Sequence, residues 1–129
     1  MSLRVLALTF GGVETASTYY RVAQYVEILR SDHGIELTMH RADDLAKAPD
    51  LRAFDRILLQ KKLLRAGDRR NVFGAGRPVL YDIDDAIWEP HRREHAWITR
   101  WRTNHRLGAI ARRANLCLVS NEHLAQGLA

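Results

Sequence analysis

Five short apolar runs, separated by longer segments of helical period, restrict most strongly what this chain can fold into. The runs are LRVLALTF (Leu3 to Phe10), IELTMH (Ile35 to His40), FDRILLQ (Phe54 to Gln60), PVLYDI (Pro78 to Ile83) and NLCLVS (Asn115 to Ser120). The first is apolar at nearly every position, as a central strand buried on both faces requires. Between Thr18 and Arg30, the residues Tyr19, Val22, Ala23, Val26 and Leu29 fall on one helical stripe, with Ser17 as N-cap and Gly34 as stop. A second helix is expected in the first half of Lys61 to Phe73, before GAGRP forces a turn, and the longest from His95 to Ala114. NEHLAQGLA, at the end of the sequence, reads as the first turns of another. Strands alternating with helices predict an α/β fold, a doubly wound parallel sheet of five strands with helices on both faces. Right-handed crossovers make 3-2-1-4-5 the simplest strand order.

That architecture says where to look for a site. Open α/β sheets bind ligands outside the carboxyl ends of their strands, at the switch point, which in the expected order lies between strands one and four. Gly11 and Gly12 end strand one, while Asp82, Asp84 and Asp85 crowd the end of strand four. Three carboxylates so close repel one another unless a cation, a hydroxyl donor or an arginine compensates them. One aspartate at a strand-to-helix turn reads as a cap; three in this position point to a binding site. Neighbouring residues of an extended backbone project to opposite sides, so the three do not all face one ligand. The glycine turn precedes a helix whose first amides are free, an arrangement that suits an anion such as a phosphate. It lacks both the full G-x-G-x-x-G pattern and a P-loop lysine, and a turn needing positive φ explains the glycines equally well.

Composition narrows the partners. The chain has 129 residues, 47% hydrophobic and 27% charged, enough for one domain with a real core. No apolar stretch approaches the roughly 18 to 20 residues of a spanning helix, and the start lacks the marks of a secretory signal. A soluble, cytoplasmic protein is expected. The lone Cys117, in an apolar run, reads as a buried free thiol that suits a reducing compartment. A net charge of +5 and a pI near 9.9 admit nucleic acid, anionic lipid or a phosphorylated substrate without choosing among them.

Other motifs carry less. HRREH (His91 to His95) has the H-x-x-E-H spacing of a zinc site, but Pro90 precedes it, two arginines interrupt it and only Glu122 could follow as third ligand. A solvated helix start is the reading, and no metal is predicted. Trp97 and Trp101 share a stripe with Leu107, Ala111 and Ala114, which makes them core residues before they are stacking platforms. DIDD after a strand is similar to the D-x-D pair of haloacid dehalogenase-like phosphatases, yet no lysine follows Lys62. A receiver domain would need its acidic pair after strand one, where this chain has glycines.

Taken in order, GG after strand one, STYYR opening the first helix, ILLQKKLL at strand three, VLYDIDDAIW at strand four and ANLCLVSNEHLA at strand five resemble the N-terminal, Rossmann-like domain of GT-B fold glycosyltransferases of the retaining family 4. The likeness spans nearly the whole chain, and YDIDDAIW with LLQKK is its most specific part. It implies transfer of a sugar from a nucleotide-sugar donor to an acceptor hydroxyl. Gly11 and Gly12 would then approach the donor diphosphate. Tyr20, Arg21, Gln60, Lys61, Asp82, Asp84, Asp85 and Asn121 would line the acceptor side of the cleft. The partners it implies are the nucleotide sugar, an acceptor glycan or lipid-linked sugar, a second Rossmann domain that is missing here, and a peripheral contact with the inner face of a membrane. Neither nucleic acid nor a covalently bound cofactor belongs to it. The E-x7-E pattern of the family's second domain is absent, so the chain alone would hold at most half an active site and be inactive. The rival reading is a non-enzymatic α/β module that docks an anionic partner through its arginines.

Overall fold

The computed structural model describes residues 3–12, 14, 16–60, 64–83 and 97–119. Its elements, in order, are β1 (Leu3–Thr9), α1 (Ala16–Arg21), a 3-10 turn (Ala23–Tyr25), α2 (Val26–His33), β2 (Ile35–Arg41), 3-10 turns over Ala42–Lys47 and Leu51–Ala53, β3 (Arg56–Gln60), α3 (Ala66–Gly74), β4 (Val79–Ile83), α4 (Trp97–Arg113) and β5 (Leu116–Val119). Each expected strand is present, and all four pairings are parallel.

The strand order is β2-β1-β3-β4-β5. The doubly wound α/β class is as expected, but the order departs from 3-2-1-4-5: β3 inserts between β1 and β4. Val5 to Leu8 pair with Arg56 to Leu59 on one side of β1, and Leu3 to Thr9 pair with Ile35 to Arg41 on the other. The chain therefore reverses its winding after β2, and the switch point lies between β1 and β3.

Because side chains alternate across a strand, the sheet has two distinct faces. Leu6, Leu8, Ile57, Leu59, Val79, Tyr81 and Ile83 form one, and they build the core with Leu64, Val72, Leu107 and Ile110. Val5, Ala7, Thr9, Gln60 and Asp82 lie on the other, all of them buried. Helix α1 sits over this second face.

The helices depart from expectation in three places, each for a local reason. The stripe from Thr18 to Arg30 is two helices and a turn rather than one helix, because Val22 leaves helical geometry (φ −131°, ψ −63°) and is buried to 1% exposure. The first helix starts at Ala16, so Ser17 lies inside it and is not its N-cap. Helix α3 occupies Ala66–Gly74, later in the Lys61 to Phe73 segment than expected; residues 61–63 lie outside the described residues, Leu64 is buried and Arg65 is extended, so the helix starts at Ala66. Gly34 ends α2 in the left-handed region at φ 65°, a conformation that a side chain would oppose. The thiol of Cys117 is half-buried against the core rather than fully enclosed, and burial raises its pKa. No helix among the described residues is long and apolar enough to cross a membrane.

Candidate functional site

Gln60 and Asp82 are register partners at the carboxyl ends of β3 and β4, so their side chains stand next to each other on the same face. Thr18 and Arg21 are three apart on α1, which places them on one side of that helix. The two pairs meet. Thr18 Oγ1 lies 3.2 Å from Gln60 Oε1, to which it donates, and Arg21 Nε donates to Asp82 Oδ2 at 3.1 Å. Arg21 Nη2 reaches the other oxygen, Asp82 Oδ1, closing a bidentate fork. Such a fork fixes both planes at once, which a lysine could not do.

The glycine turn joins this assembly from β1. Phe10 N donates to Gln60 Oε1 at 3.1 Å. The Gly11 carbonyl points inward, where Thr9 Oγ1 donates to it at 2.6 Å and Thr18 Oγ1 lies 3.4 Å away. The Thr18 hydroxyl has one proton and two acceptors in reach, so it serves one of them at a time. With two donors on its oxygen, the Gln60 carboxamide is oriented. Its Nε2 is buried and has no hydrogen-bond partner among the described residues. An unmatched buried donor costs about 1–3 kcal/mol, which makes this amide the polar group most in need of a further partner at the edge.

Electrostatics divide the edge. The Asp82 side chain is 6% exposed and the Arg21 side chain 29%, so the carboxylate is shielded while its arginine faces outward in part. Two of the four lone-pair directions of Asp82 are taken by the guanidinium, which leaves acceptor capacity for a hydroxyl. Beside the turn, a Cβ added to Gly12 would fall onto the Glu14 carboxylate. An anion at the glycine turn thus requires the exposed Glu14 side chain to swing aside.

Of the residues expected at the site, Gly11, Arg21, Gln60 and Asp82 are brought together. Gly12 lies beside them, half-buried. Tyr20 is 64% exposed and stacks edge-on against Tyr19 at 5.3 Å; none of the described contacts joins it to the polar cluster. Lys61, Asp84, Asp85 and Asn121 lie outside the described residues, as do the HRREH segment and the side chains of Trp97 and Trp101. Among the described residues, no group of three or more His, Cys, Asp or Glu is placed to hold a metal ion. Two participants escaped the sequence reading: Thr9 and Thr18, 2% and 0% exposed. A threonine closing a nearly all-apolar strand was the available signal for the first, and the i, i+3 spacing to Arg21 for the second.

A scan against protein-family models gave no match, and a search of curated proteins gave none.

Proposed function

We propose that this chain is the acceptor-side domain of a retaining, GT-B type glycosyltransferase, which moves a sugar from a nucleotide-sugar donor to an acceptor hydroxyl. The observation that supports this most is convergence. Thr18 and Arg21 of STYYR, Gln60 of LLQKK, Asp82 of YDIDD and Gly11 of the glycine pair come from separate parts of the sequence, and they meet at the sheet edge where α/β folds bind ligands.

In this reading the cleft lies above the carboxyl ends of β1, β3 and β4. Asp82, held by Arg21, accepts a hydrogen bond from the acceptor and sets its orientation. A retaining transfer passes through an oxocarbenium-like transition state, so rate depends on holding the acceptor hydroxyl near the anomeric carbon and on stabilising the leaving diphosphate. Gly11 and Gly12 face that diphosphate from this side. No residue here is assigned as nucleophile, and the chain by itself is inactive.

The test is transfer of labelled sugar from a panel of nucleotide sugars by the complete product of the reading frame encoding this chain. Transfer that falls at least about tenfold in Asp82→Asn, through loss of a charge-assisted hydrogen bond, supports the reading. Absence of transfer from every donor, or transfer indifferent to both Asp82→Asn and Arg21→Met, rejects it. The rival, a module docking an anionic macromolecule, predicts instead that partner binding collapses steeply with salt.

A further inference from the structure

A groove of about 360 Å³ opens on the core face of the sheet, between the 3-10 turns that precede β3 and the helix that precedes β4. It is separate from the edge just described, which lies at the carboxyl ends of the same strands. Leu45, Pro49, Asp50 and Arg52 form part of one wall, and Arg70 and Asn71 belong to the other. Its volume is within the range of small-ligand sites.

What marks this groove is a pair of uncommitted arginines. Many other guanidinium groups are engaged: Arg30 with Glu27, Arg41 with Asp43, Arg21 with Asp82, Arg4 on Phe54 and Arg113 on Phe73, and Arg56, Arg69 and Arg77 with backbone carbonyls. The guanidiniums of Arg52 and Arg70 have no ion pair, side-chain hydrogen bond or ring contact among the described residues. The backbone carrying Arg52 is nevertheless fixed at both ends. Its N donates to Asp50 Oδ1 at 3.1 Å, and its carbonyl accepts from Arg77 Nη2 at 2.8 Å. Two uncommitted forks lining one groove, one of them on a pinned turn, suit an anion.

The remaining polar groups limit what that anion carries. Asp50 keeps its second carboxylate oxygen, and Asn71 offers an exposed amide. Both can pair with hydroxyls set apart from the anionic group, which a sugar phosphate carries and an inorganic ion does not. We infer that this groove is a second binding site, for a small hydroxyl-bearing phosphate monoester, with Arg52 and Arg70 on the phosphate and Asp50 and Asn71 on the hydroxyls. The inference is independent of the proposed sugar transfer.

The experiment is a backbone amide NMR titration of this chain with three probes: glucose 6-phosphate, inorganic phosphate and glucose. Glucose 6-phosphate is expected to give saturable shifts at Arg52, Asn71 and Gly74, and inorganic phosphate to bind more weakly. Arg52→Gln and Arg70→Gln should each weaken glucose 6-phosphate by on the order of tenfold, the loss expected for one charge-assisted hydrogen bond. Asn71→Asp, which adds a negative charge without removing an arginine, should weaken it as well. Saturable shifts confined to Gly11, Arg21 and Gln60 overturn the inference. So do inorganic phosphate binding as tightly as the sugar phosphate, and arginine variants that bind like the parent while keeping its melting temperature.

Discussion

Leu59 and Tyr81 pair across β3 and β4, and one residue further along the same strands Gln60 and Asp82 pair as well. All four are buried, yet the first two face an apolar core and the second two face α1. On the core side, stability comes from apolar area removed from water and from close packing, and many residues share it. On the α1 side it depends on a few hydrogen bonds between particular atoms, among them those donated by Thr18 and Arg21 from a helix of only six residues. Burial without directional partners is favourable on one face and costly on the other. Among the described residues, each face also carries one unmatched atom, the Tyr81 hydroxyl in the core and Gln60 Nε2 at the edge. The difference between them is location. Tyr81 is enclosed among hydrocarbons, whereas Gln60 ends a strand beside the switch point, where an incoming group can satisfy it.

Substitutions on the two faces can break this comparison. The largest effect is expected in the core: Leu59→Ala should lose about 2–5 kcal/mol in urea unfolding, through lost transfer energy and the cavity left behind. A loss no greater than that of an exposed leucine would mean the core face is not closed. Next comes Arg21→Met, which strands the Asp82 carboxylate and should cost about 1–3 kcal/mol, a figure already reduced for the partial exposure of Arg21. Replacing both members, Arg21→Met with Asp82→Leu, should recover much of that loss, because no charge is then left buried. The exposed Arg30–Glu27 pair is the control, and Arg30→Met should leave the unfolding midpoint where it was.

The smallest effect at neutral pH is also the most diagnostic. Burial pushes the Tyr81 phenol well above its ordinary value of 10.0. The folded state therefore keeps a proton that the unfolded chain gives up, so the Tyr81 contribution to stability is fully present below pH 10 and declines as pH rises beyond it. Tyr81→Phe should be neutral, or stabilising by up to about 1 kcal/mol, since it removes a hydroxyl without a partner. It should also flatten the alkaline part of the stability–pH curve. An unchanged alkaline slope in that variant would assign the slope to other groups.

How much of the site was legible varied residue by residue. Asp82 and the glycine pair could be placed at a common sheet edge from the letters, because in any all-parallel sheet the carboxyl ends of the strands lie together. That Arg21 is the partner of Asp82 could not, since the two are 61 positions apart and many arginines could have served. The threonines were hidden for another reason: a hydroxyl in an apolar context signals nothing until its acceptor is known. The break at Val22 was invisible because both halves keep the same hydrophobic stripe, and period alone does not register a change in backbone angle.

The amino-acid order alone determined five strands, the presence though not the bounds of helices between them, the parallel α/β class and the edge at which Gly11 and Asp82 emerge. Those properties follow from local patterning, from the lengths of apolar runs and from the stop at Gly34. Only the tertiary structure decided that β3 lies between β1 and β4, that Thr18 and Arg21 close over Gln60 and Asp82, and that Arg52 and Arg70 flank a groove. The physical reason is that strand neighbours and side-chain partners are chosen by contacts between distant segments. Two strand orders can share one local pattern and differ only in which nonlocal pairings bury the most surface.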